Sequence, residues 1–441
     1  MATRKRTSWE KYWGWVVVFS RFSALFMLLG TYKSFGVLMD SYIYDLDTSA
    51  AEAGTATVLF FAFVYFTAPI FGVLADMMGS NGARILIMLG GIISTIAMCL
   101  SALSTTWYQL AFYLSLAGVG YGMVQVPTVA PLLMYFTDKF GLANSISAAG
   151  GAVGMIVLPP LTERMIDNYG WRGASIILGV ASLHTTVAGA LMRPPSSFKE
   201  KRSYQQIYGK DDAPQDGTPY ESLTKVKRFA KLMQEQLSID VFRKRPRFVV
   251  YQFIFLLAGV QFAGWHLFLV PNALSQDIAL FDAAFLASIG GIGNIIGRAF
   301  NGPLLDHNIF SDAMLFVLIH LVCALSLLLD PLATEYPLMA VLAFWAGLTI
   351  GASYAVTIVI AKNLAEEEKY IMAAVGWTHF FMGFGAVIGG PLVGATFDIT
   401  GYYHVGFLLM GGFEILITVC TFIELMQRRY TQDLRARYLL M

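Results

Sequence analysis

Two cationic side chains lie inside apolar stretches of this sequence. Lys33 is part of "LLGTYKSFGVLMDSYIYDLD", and Arg298 is part of "FLASIGGIGNIIGRAFNGPLLD". An ionised side chain at the centre of a bilayer costs about 2.5–3.5 kcal/mol on insertion scales, so such a residue usually faces a cavity or a partner. No acid lies near either cation in the sequence, which leaves a vacancy for an anion. A guanidinium can hold a carboxylate through two parallel hydrogen bonds, and an ammonium can bind a carboxylate or release a proton.

Each of these cations also has a less specific interpretation. The long stem of Lys33 would let its ammonium snorkel toward the outer surface near Asp40. Arg298 could bond a backbone carbonyl close to the inner loop at Asp306. The sequence favours a cavity position for both residues. Arg21, early in the first span, is interpreted instead as a snorkelling or packing residue.

The composition indicates a protein that crosses a membrane many times. Of 441 residues, 56% are hydrophobic and 13% are charged, and the mean hydropathy is +0.61. Globular domains are about 25% charged. Apolar runs of about 20 residues, the length that spans the hydrocarbon core as a helix, recur along the chain. The first run is too long for a signal peptide, so we expect it to be retained as the first helix.

Apolar length and helix-breaking residues divide the chain into twelve predicted transmembrane helices in two bundles. They span residues 13–39, 55–78, 84–104, 107–133, 139–162, 172–192, 248–272, 281–305, 311–330, 336–361, 370–396 and 402–426. The predicted fold is therefore an all-α membrane protein with six-helix bundles at 13–192 and 248–426. A polar central loop at 193–247 separates them. Its middle is predicted to be disordered, and "LTKVKRFAKLMQEQL" is predicted to form an amphipathic helix on the membrane surface.

The distribution of Lys and Arg predicts the orientation of these helices. Basic residues occur in the N-terminus (1–12), the central loop, the loop at 361–370 and the tail at 427–441, which all fall on one side of a twelve-helix topology. The first loop on the opposite side, "DSYIYDLDTSAAEAG", has acids and no Lys or Arg. Both termini are therefore predicted to be cytoplasmic.

The two predicted bundles repeat the same short motif. "FGVLADMMGSNGAR" and "FNGPLLDHNIF" each contain G-x-L-x-D, which ends at Asp76 in the first bundle and at Asp306 in the second. Repeated six-helix halves indicate a transporter whose substrate site lies between the halves near the bilayer midplane. A carboxylate can cap a cytoplasmic helix start, and Arg84 can pair with Asp76. We therefore expect Asp76, Arg84 and Asp306 to act in gating.

These motifs resemble the major facilitator superfamily, and three stretches resemble its monocarboxylate transporter family. The stretches are "YWGWVVV" at 12–18, "YFTDKFGLANSISAAGGAVG" at 135–154 and "GATFDITGYYHVGF" at 394–407. The resemblance implies a carrier of small carboxylates, aromatic amino acids or related solutes, which is proton-coupled in several members. For some members it implies an immunoglobulin-like ancillary glycoprotein, such as basigin, for delivery to the plasma membrane. It also implies that Lys33 and Arg298 line the cavity and that Arg298 binds the substrate carboxylate.

Asn294 departs from the pattern of the proton-coupled members, which carry an aspartate one helical turn before the arginine. An asparagine can hydrogen-bond a guanidinium or a substrate, but it carries no proton. Either Lys33 is the proton-coupling group, or the protein is a facilitator without coupling. The asparagine favours the second alternative.

Three aromatic residues complete the predicted substrate-binding set of Lys33, Asn294 and Arg298. Tyr32 precedes Lys33 on the first helix. His266 could contact substrate or titrate near neutrality, and a histidine bonded to a backbone carbonyl is an equal alternative. Tyr354 falls where family members use a large side chain to limit substrate size, with Ser353 as the alternative. The sequence gives no role to Glu414, and three further histidines are interpreted as structural: His184, His320 and His379.

No motif of an enzyme occurs in the sequence. It lacks a nucleophile elbow, a phosphate-binding loop and metal-spaced His or Cys clusters, so no catalytic residue, cofactor, metal or nucleic-acid partner is expected. The leading hypothesis is a carrier of organic monocarboxylates that works by alternating access, as a proton symporter or without coupling. The second is an uncoupled carrier of a larger carboxylate or an amino-acid-like solute. The third is a non-transporting receptor on a transporter scaffold, which the insertion cost of retained cavity cations argues against.

Overall fold

The computed structural model describes residues 8–136, 140–195, 227, 230–234, 240–306, 309–365 and 368–439. Within these ranges the chain forms helices and no strand. The α-helices are α1 Ser8–Asp45, α2 Ala50–Met77, α3 Gly82–Ser101, α4 Trp107–Gln125, α5 Val129–Tyr135, α6 Phe140–Ser182, α7 His184–Leu191, α8 Asp240–Lys244, α9 Pro246–Leu274, α10 Leu280–Asp306, α11 Asp312–Leu328, α12 Tyr336–Ala365, α13 Glu368–Thr400 and α14 Tyr403–Leu439. We call α1–α7 the N-terminal half and α9–α14 the C-terminal half.

Eleven stretches of the described residues are long and apolar enough to cross a membrane. The longest, Ala143–Leu191, has 49 residues, which at about 1.5 Å per residue would extend about 74 Å, against a hydrocarbon core of about 30 Å. Gly170 divides it, because its φ of 65° and ψ of 173° are not helical. The stretch therefore contains two crossings, and the predicted total of twelve is confirmed.

The helix ends differ from the predicted ones at both termini. The first helix was predicted at 13–39, but α1 covers Ser8–Asp45. The tail predicted at 427–441 is helical as far as Leu439, because α14 continues past the last apolar residues into a polar segment. Hydropathy marks the part of a helix that lies in lipid, so it does not detect a helix that continues beyond the membrane.

Small residues let α1 pack closely against α6 within the N-terminal half. Gly150 and Gly154 of α6 lie directly against the backbone carbonyls of Phe22 and Phe26 on α1, and Gly30 of α1 faces Gly154. A side chain at these positions would push the helices apart. Lipid tails are as apolar as the helices, so close backbone packing is a main source of helix association in membranes.

The two halves meet through α1 with α9, α2 with α13, and α6 with α10. A Cβ atom added to Gly390 of α13 would lie 2.6 Å from the carbonyl oxygen of Gly54 on α2. Ser288 Oγ of α10 donates a hydrogen bond to the carbonyl of Ile156 on α6 (2.6 Å). The contact between the halves is thus close enough at the start of α2 to exclude side chains.

Asp398 joins the two halves at the same end of the bundle. Its Oδ1 accepts a hydrogen bond from the backbone N–H of Ala50, and its Oδ2 accepts one from Ala51, each at 2.9 Å. The first N–H groups of a helix have no partner within the helix, and the helix dipole favours a negative charge there. The end of α13 therefore caps the start of α2 across the interface.

The residues expected to act in gating remain predictions. The side chains of Asp76 and Asp306 lie outside the described part of the structure, as does most of the predicted surface helix in the central loop. Arg84 lies in the first turn of α3 and is partly buried.

Candidate functional site

Lys33 of α1 is buried between the halves and does not reach the surface. Its side chain is 1% exposed, and its Nζ atom lies 3.9 Å from the ring centroid of Trp265 on α9. Nζ has no hydrogen-bond partner among the described residues. A cation over an aromatic face is attracted by the ring quadrupole, by about 2 kcal/mol when desolvated. The snorkelling alternative is therefore wrong, because the ammonium ends on an indole of the other half.

Tyr32, one residue earlier, lies in an aromatic cluster built from three helices. Its ring stacks on Phe61 of α2 at a centroid distance of 4.6 Å and on Phe262 of α9 at 6.0 Å. The phenol is fully buried, and its hydroxyl has no hydrogen-bond partner in the described part of the chain. Tyr32 and Lys33 are thus neighbours in the chain that each keep an unused hydrogen-bonding group in the described structure.

His266 is the carbonyl-bonded histidine that the sequence left as an alternative. Its Nδ1 lies 2.8 Å from the carbonyl oxygen of Phe262, one turn earlier on α9. A carbonyl only accepts hydrogen bonds, so Nδ1 carries the proton and Nε2 is left as an acceptor in the neutral ring. His266 lies within electrostatic range of both predicted cations, Lys33 and Arg298.

Arg298 of α10 is held in place by Asn294, the residue that departs from the family pattern. Its Nε donates a hydrogen bond to Asn294 Oδ1 at 2.9 Å, one helical turn earlier. The guanidinium carbon lies 4.6 Å from the ring centroid of Tyr354 on α12. Neither Arg298 nor Lys33 forms an ion pair with a carboxylate within the described ranges. The terminal guanidinium nitrogens therefore remain available to an anion.

Two residues near Arg298 were missed by the sequence reasoning. Tyr65 of α2 stacks on His379 of α13 at a centroid distance of 5.2 Å, and His379 lies 6.3 Å from Tyr354. Arg298 is within electrostatic range of both tyrosines. His379 was interpreted as structural, although it is an ionisable residue in an apolar run, the same signal that identified Lys33. Tyr65 carries no such signal in its aromatic-rich segment.

The alternatives at residues 353 and 354 are separated by the two sides of α12. Tyr354 faces Arg298, whose guanidinium carbon lies 4.6 Å from its ring centroid. Ser353 turns into the C-terminal half, where its Oγ lies 2.9 Å from His320 Nε2. Ser353 is therefore hydrogen-bonded to His320, whereas Tyr354 contacts Arg298.

Arg21 is a packing residue in the structure. Its Nη1 donates hydrogen bonds to Asn144 Oδ1 (2.9 Å) and Ser147 Oγ (2.7 Å), which tie α1 to α6. Lys33 and Arg21 thus lie on one helix, both buried, yet only Arg21 has hydrogen-bond partners in the described structure.

The site as a whole is a pair of cations with aromatic walls at the interface of the two halves. The N-terminal half supplies Lys33 and Tyr32, and the C-terminal half supplies the rest: His266, Asn294, Arg298 and Tyr354. Unneutralised cations in a low-dielectric region attract an anion strongly. A small carboxylate with an apolar body fits this arrangement, since its charge can meet the cations and its body can meet the rings.

Comparison with known proteins supports this reading of the fold. The model of the Major Facilitator Superfamily matches residues 21–369, which is most of the chain. The chain belongs to this superfamily. Its members are transporters rather than enzymes.

Relatives within the superfamily are named monocarboxylate transporters. The chain is 28% identical to monocarboxylate transporter 13 of Rattus norvegicus over 404 residues, covering 91% of this chain and 86% of the relative. It is 26% identical to monocarboxylate transporter 2 of Homo sapiens over 423 residues, covering 92% and 84%. The resemblance of the three sequence stretches to this family is thus confirmed.

Solved structures share the fold at low identity. The nucleoside transporter NupG superposes with a TM-score of 0.72 at 15% identity and covers 94% of this chain and 99% of its own. A POT family transporter in complex with 5-aminolevulinic acid gives a TM-score of 0.71 at 15% identity, covering 92% and 95%. At this identity the similarity concerns the fold alone.

Proposed function

We propose that this protein carries small organic monocarboxylates across the plasma membrane by alternating access. The substrate carboxylate is held by Arg298 together with Lys33 in the central cavity. The observation that carries the proposal is the absence, within the described ranges, of any acid paired with either cation. A transporter that kept two cations at mid-bilayer without a counter-ion would bear their insertion cost for no gain.

The aromatic walls support a substrate with a small apolar body. Tyr354 stacks on the guanidinium of Arg298, and Phe262 and Phe61 surround Tyr32. Apolar rings beside the two cations would favour a carboxylate that carries a short apolar chain. Relatives named monocarboxylate transporters support the same substrate class.

The contact between the halves supports alternating access. Asp398 seals one end of the interface by capping α2, and this end is extracellular if both termini are cytoplasmic, as the positive-inside rule predicts. Breaking the cap would open the cavity to the outside. An immunoglobulin-like ancillary glycoprotein such as basigin is proposed as a partner for delivery to the plasma membrane.

A second candidate is an uncoupled carrier of a larger carboxylate or an amino-acid-like solute. Asn294 favours it, because a residue that cannot carry a proton takes the place of the family's acid. Tyr32 adds an unused hydroxyl that could bind a second polar group of such a substrate.

The test is uptake of labelled lactate and pyruvate into vesicles that contain the purified protein, with and without an inward proton gradient. We expect Arg298→Ala to lower uptake about a hundredfold, since two charge-assisted hydrogen bonds are worth about 3 kcal/mol or more. Arg243→Ala, which removes an exposed arginine of α8, is the matched control and should transport normally.

Each other result has a defined meaning. Uptake that survives Arg298→Ala would contradict the assigned carboxylate site. Uptake of amino acids but of neither lactate nor pyruvate would favour the second candidate. Ligand-triggered signalling without any uptake would favour a receptor on a transporter scaffold.

A further inference from the structure

A second ionisable cluster lies inside the C-terminal half, away from Lys33. Glu414 of α14 and His320 of α11 are 0% and 3% exposed, and Glu414 Oε2 lies 2.5 Å from His320 Nδ1. The other ring nitrogen, Nε2, lies 2.9 Å from Ser353 Oγ on α12. Three helices thus contribute to one chain of hydrogen bonds in which carboxyl, imidazole and hydroxyl follow one another.

This chain can hold a variable number of protons. With one proton shared between Glu414 and His320, the pair has no net charge, whether the proton lies on the carboxyl or the imidazole. A second proton gives the pair a charge of +1, and its release restores neutrality. Glu414 Oε1 has no hydrogen-bond partner among the described residues, so the carboxyl keeps a free acceptor for it.

Tyr354 connects the pair of Glu414 and His320 to the central site. His320, Glu414, Ser353 and Tyr354 line the same small cavity, which is large enough to hold a water molecule. Tyr354 stacks on Arg298 with its ring. The pair and the substrate site therefore share one residue, Tyr354, which lines the cavity beside the pair and contacts Arg298.

The neighbouring groups do not fix the charge of the pair. On the side of α11 the pair faces the thiol of Cys323, and on the side of α12 it faces the phenol of Tyr354. The residues that α9 and α13 present to the cavity, Gln261 and Met382 among them, do not titrate. No lysine or arginine lines this cavity in the described structure. No fixed positive charge therefore holds the pair in one protonation state.

We propose that Glu414 and His320 bind the proton that is transported together with the substrate carboxylate, in place of the acid that Asn294 lacks. The inference rests on the proposed function and makes the protein a proton–carboxylate symporter. A carboxylate that binds at Arg298 brings a negative charge within one residue layer of the pair and so favours its second proton. By linkage, the second proton favours carboxylate binding to the same extent.

The first test separates movement of substrate from movement of protons. Glu414→Gln should exchange labelled lactate between the two sides of equilibrated vesicles at close to the wild-type rate. It should lose accumulation driven by a proton gradient, since a glutamine neither binds nor releases a proton. Glu424→Gln is the matched control on α14: its acid is paired with Arg428 (3.4 Å), so gradient-driven accumulation should persist.

Two results of this test would overturn the inference. Gradient-driven accumulation that persists in Glu414→Gln would show that the proton binds elsewhere. Loss of exchange together with accumulation would show that Glu414 only supports the fold. His320→Gln serves as a second variant with the same expected split between exchange and accumulation.

The second test needs no substrate. Infrared difference spectra between low and high pH should contain, among the carboxylic-acid C=O signals of the 29 acids, one component that Glu414→Gln lacks and Glu424→Gln keeps. Wild-type protein that exchanges neither lactate nor pyruvate would count against the proposed function, and this titration would then decide on the proton site alone. A band that Glu414→Gln leaves unchanged would overturn the assignment.

Discussion

Asp398 of α13 caps the backbone of Ala50 on α2, so a side chain of the C-terminal half completes the first turn of a helix in the N-terminal half. The two hydrogen bonds, to Ala50 and Ala51, are each 2.9 Å long. Hydrogen bonds to a charged group are worth about 1.5–3 kcal/mol each. The halves cannot separate at this end without breaking both, so Asp398 stabilises the arrangement in which this end is closed.

Replacing Asp398 with Asn should weaken this seal. The amide keeps one acceptor oxygen but loses the charge, so we expect the Ala50 and Ala51 amides to exchange hydrogen for deuterium about tenfold faster. Mass spectrometry of the peptide that contains them measures this rate. Asp282→Asn, an exposed acid at the start of α10, is the control. Equal exchange in the two variants would mean that the cap does not hold the halves together.

Lys33→Met and Arg21→Met should change thermal stability in opposite directions. For Lys33 the insertion cost of about 2.5–3.5 kcal/mol exceeds a cation–π gain of about 2 kcal/mol, so its removal should stabilise the fold by about 1 kcal/mol while abolishing transport. Arg21 donates two hydrogen bonds to side chains, worth about 3–6 kcal/mol, so its removal should destabilise the fold. Unfolding temperatures in detergent test this, and a lower value for Lys33→Met would imply an unrecognised partner of the ammonium.

Asn294→Asp should restore an acid beside Arg298 and make substrate binding depend on pH. The new carboxylate takes over the 2.9 Å hydrogen bond and competes with the substrate, so the KM for lactate at neutral pH should rise about tenfold. Acidic pH should reverse this, because a protonated carboxyl releases the guanidinium. Asn144 accepts a hydrogen bond of the same length from Arg21, so Asn144→Asp should leave the KM unchanged. A KM that does not depend on pH in Asn294→Asp would speak against competition at Arg298.

Substitutions of two glycines should affect stability and transport differently. Gly150→Ala forces α1 and α6 apart within one half and should lower stability by about 1–3 kcal/mol, the usual cost of overpacking. Gly390→Ala acts on the contact with Gly54 between the halves, which would open in the proposed alternating-access cycle. We expect it to retain its unfolding temperature and to slow lactate exchange. An equal loss of stability in both variants would mean that the two halves do not separate at this contact.

Most of the fold could be predicted because hydropathy identifies the segments of the chain that lie in lipid. The composition and the G-x-L-x-D repeat indicated two six-helix bundles, and the polar turn around Gly170 separated the fifth and sixth predicted helices, which the non-helical Gly170 also divides in the structure. Helix ends outside the lipid were harder to predict: α14 continues to Leu439 with no apolar signal to mark it.

Only those residues of the site could be predicted whose type alone is unusual in a membrane helix. Lys33 and Arg298 are costly wherever they point in a membrane, so their presence alone indicated a cavity. The pairing of His320 with Glu414 joins residues 94 positions apart and depends on how α11 and α14 rotate against each other. Trp265 and Tyr65 are ordinary aromatic residues in aromatic-rich helices, and only the packing of the halves makes them part of the site.

The position of Trp265 also gives the protein an internal optical probe. An ammonium 3.9 Å from the indole centroid changes the energy of the excited indole through its electric field. Loss of that charge, or its neutralisation by a bound anion, should therefore shift the emission wavelength of Trp265. The carrier should report the occupancy of its cavity through its own fluorescence, without a label.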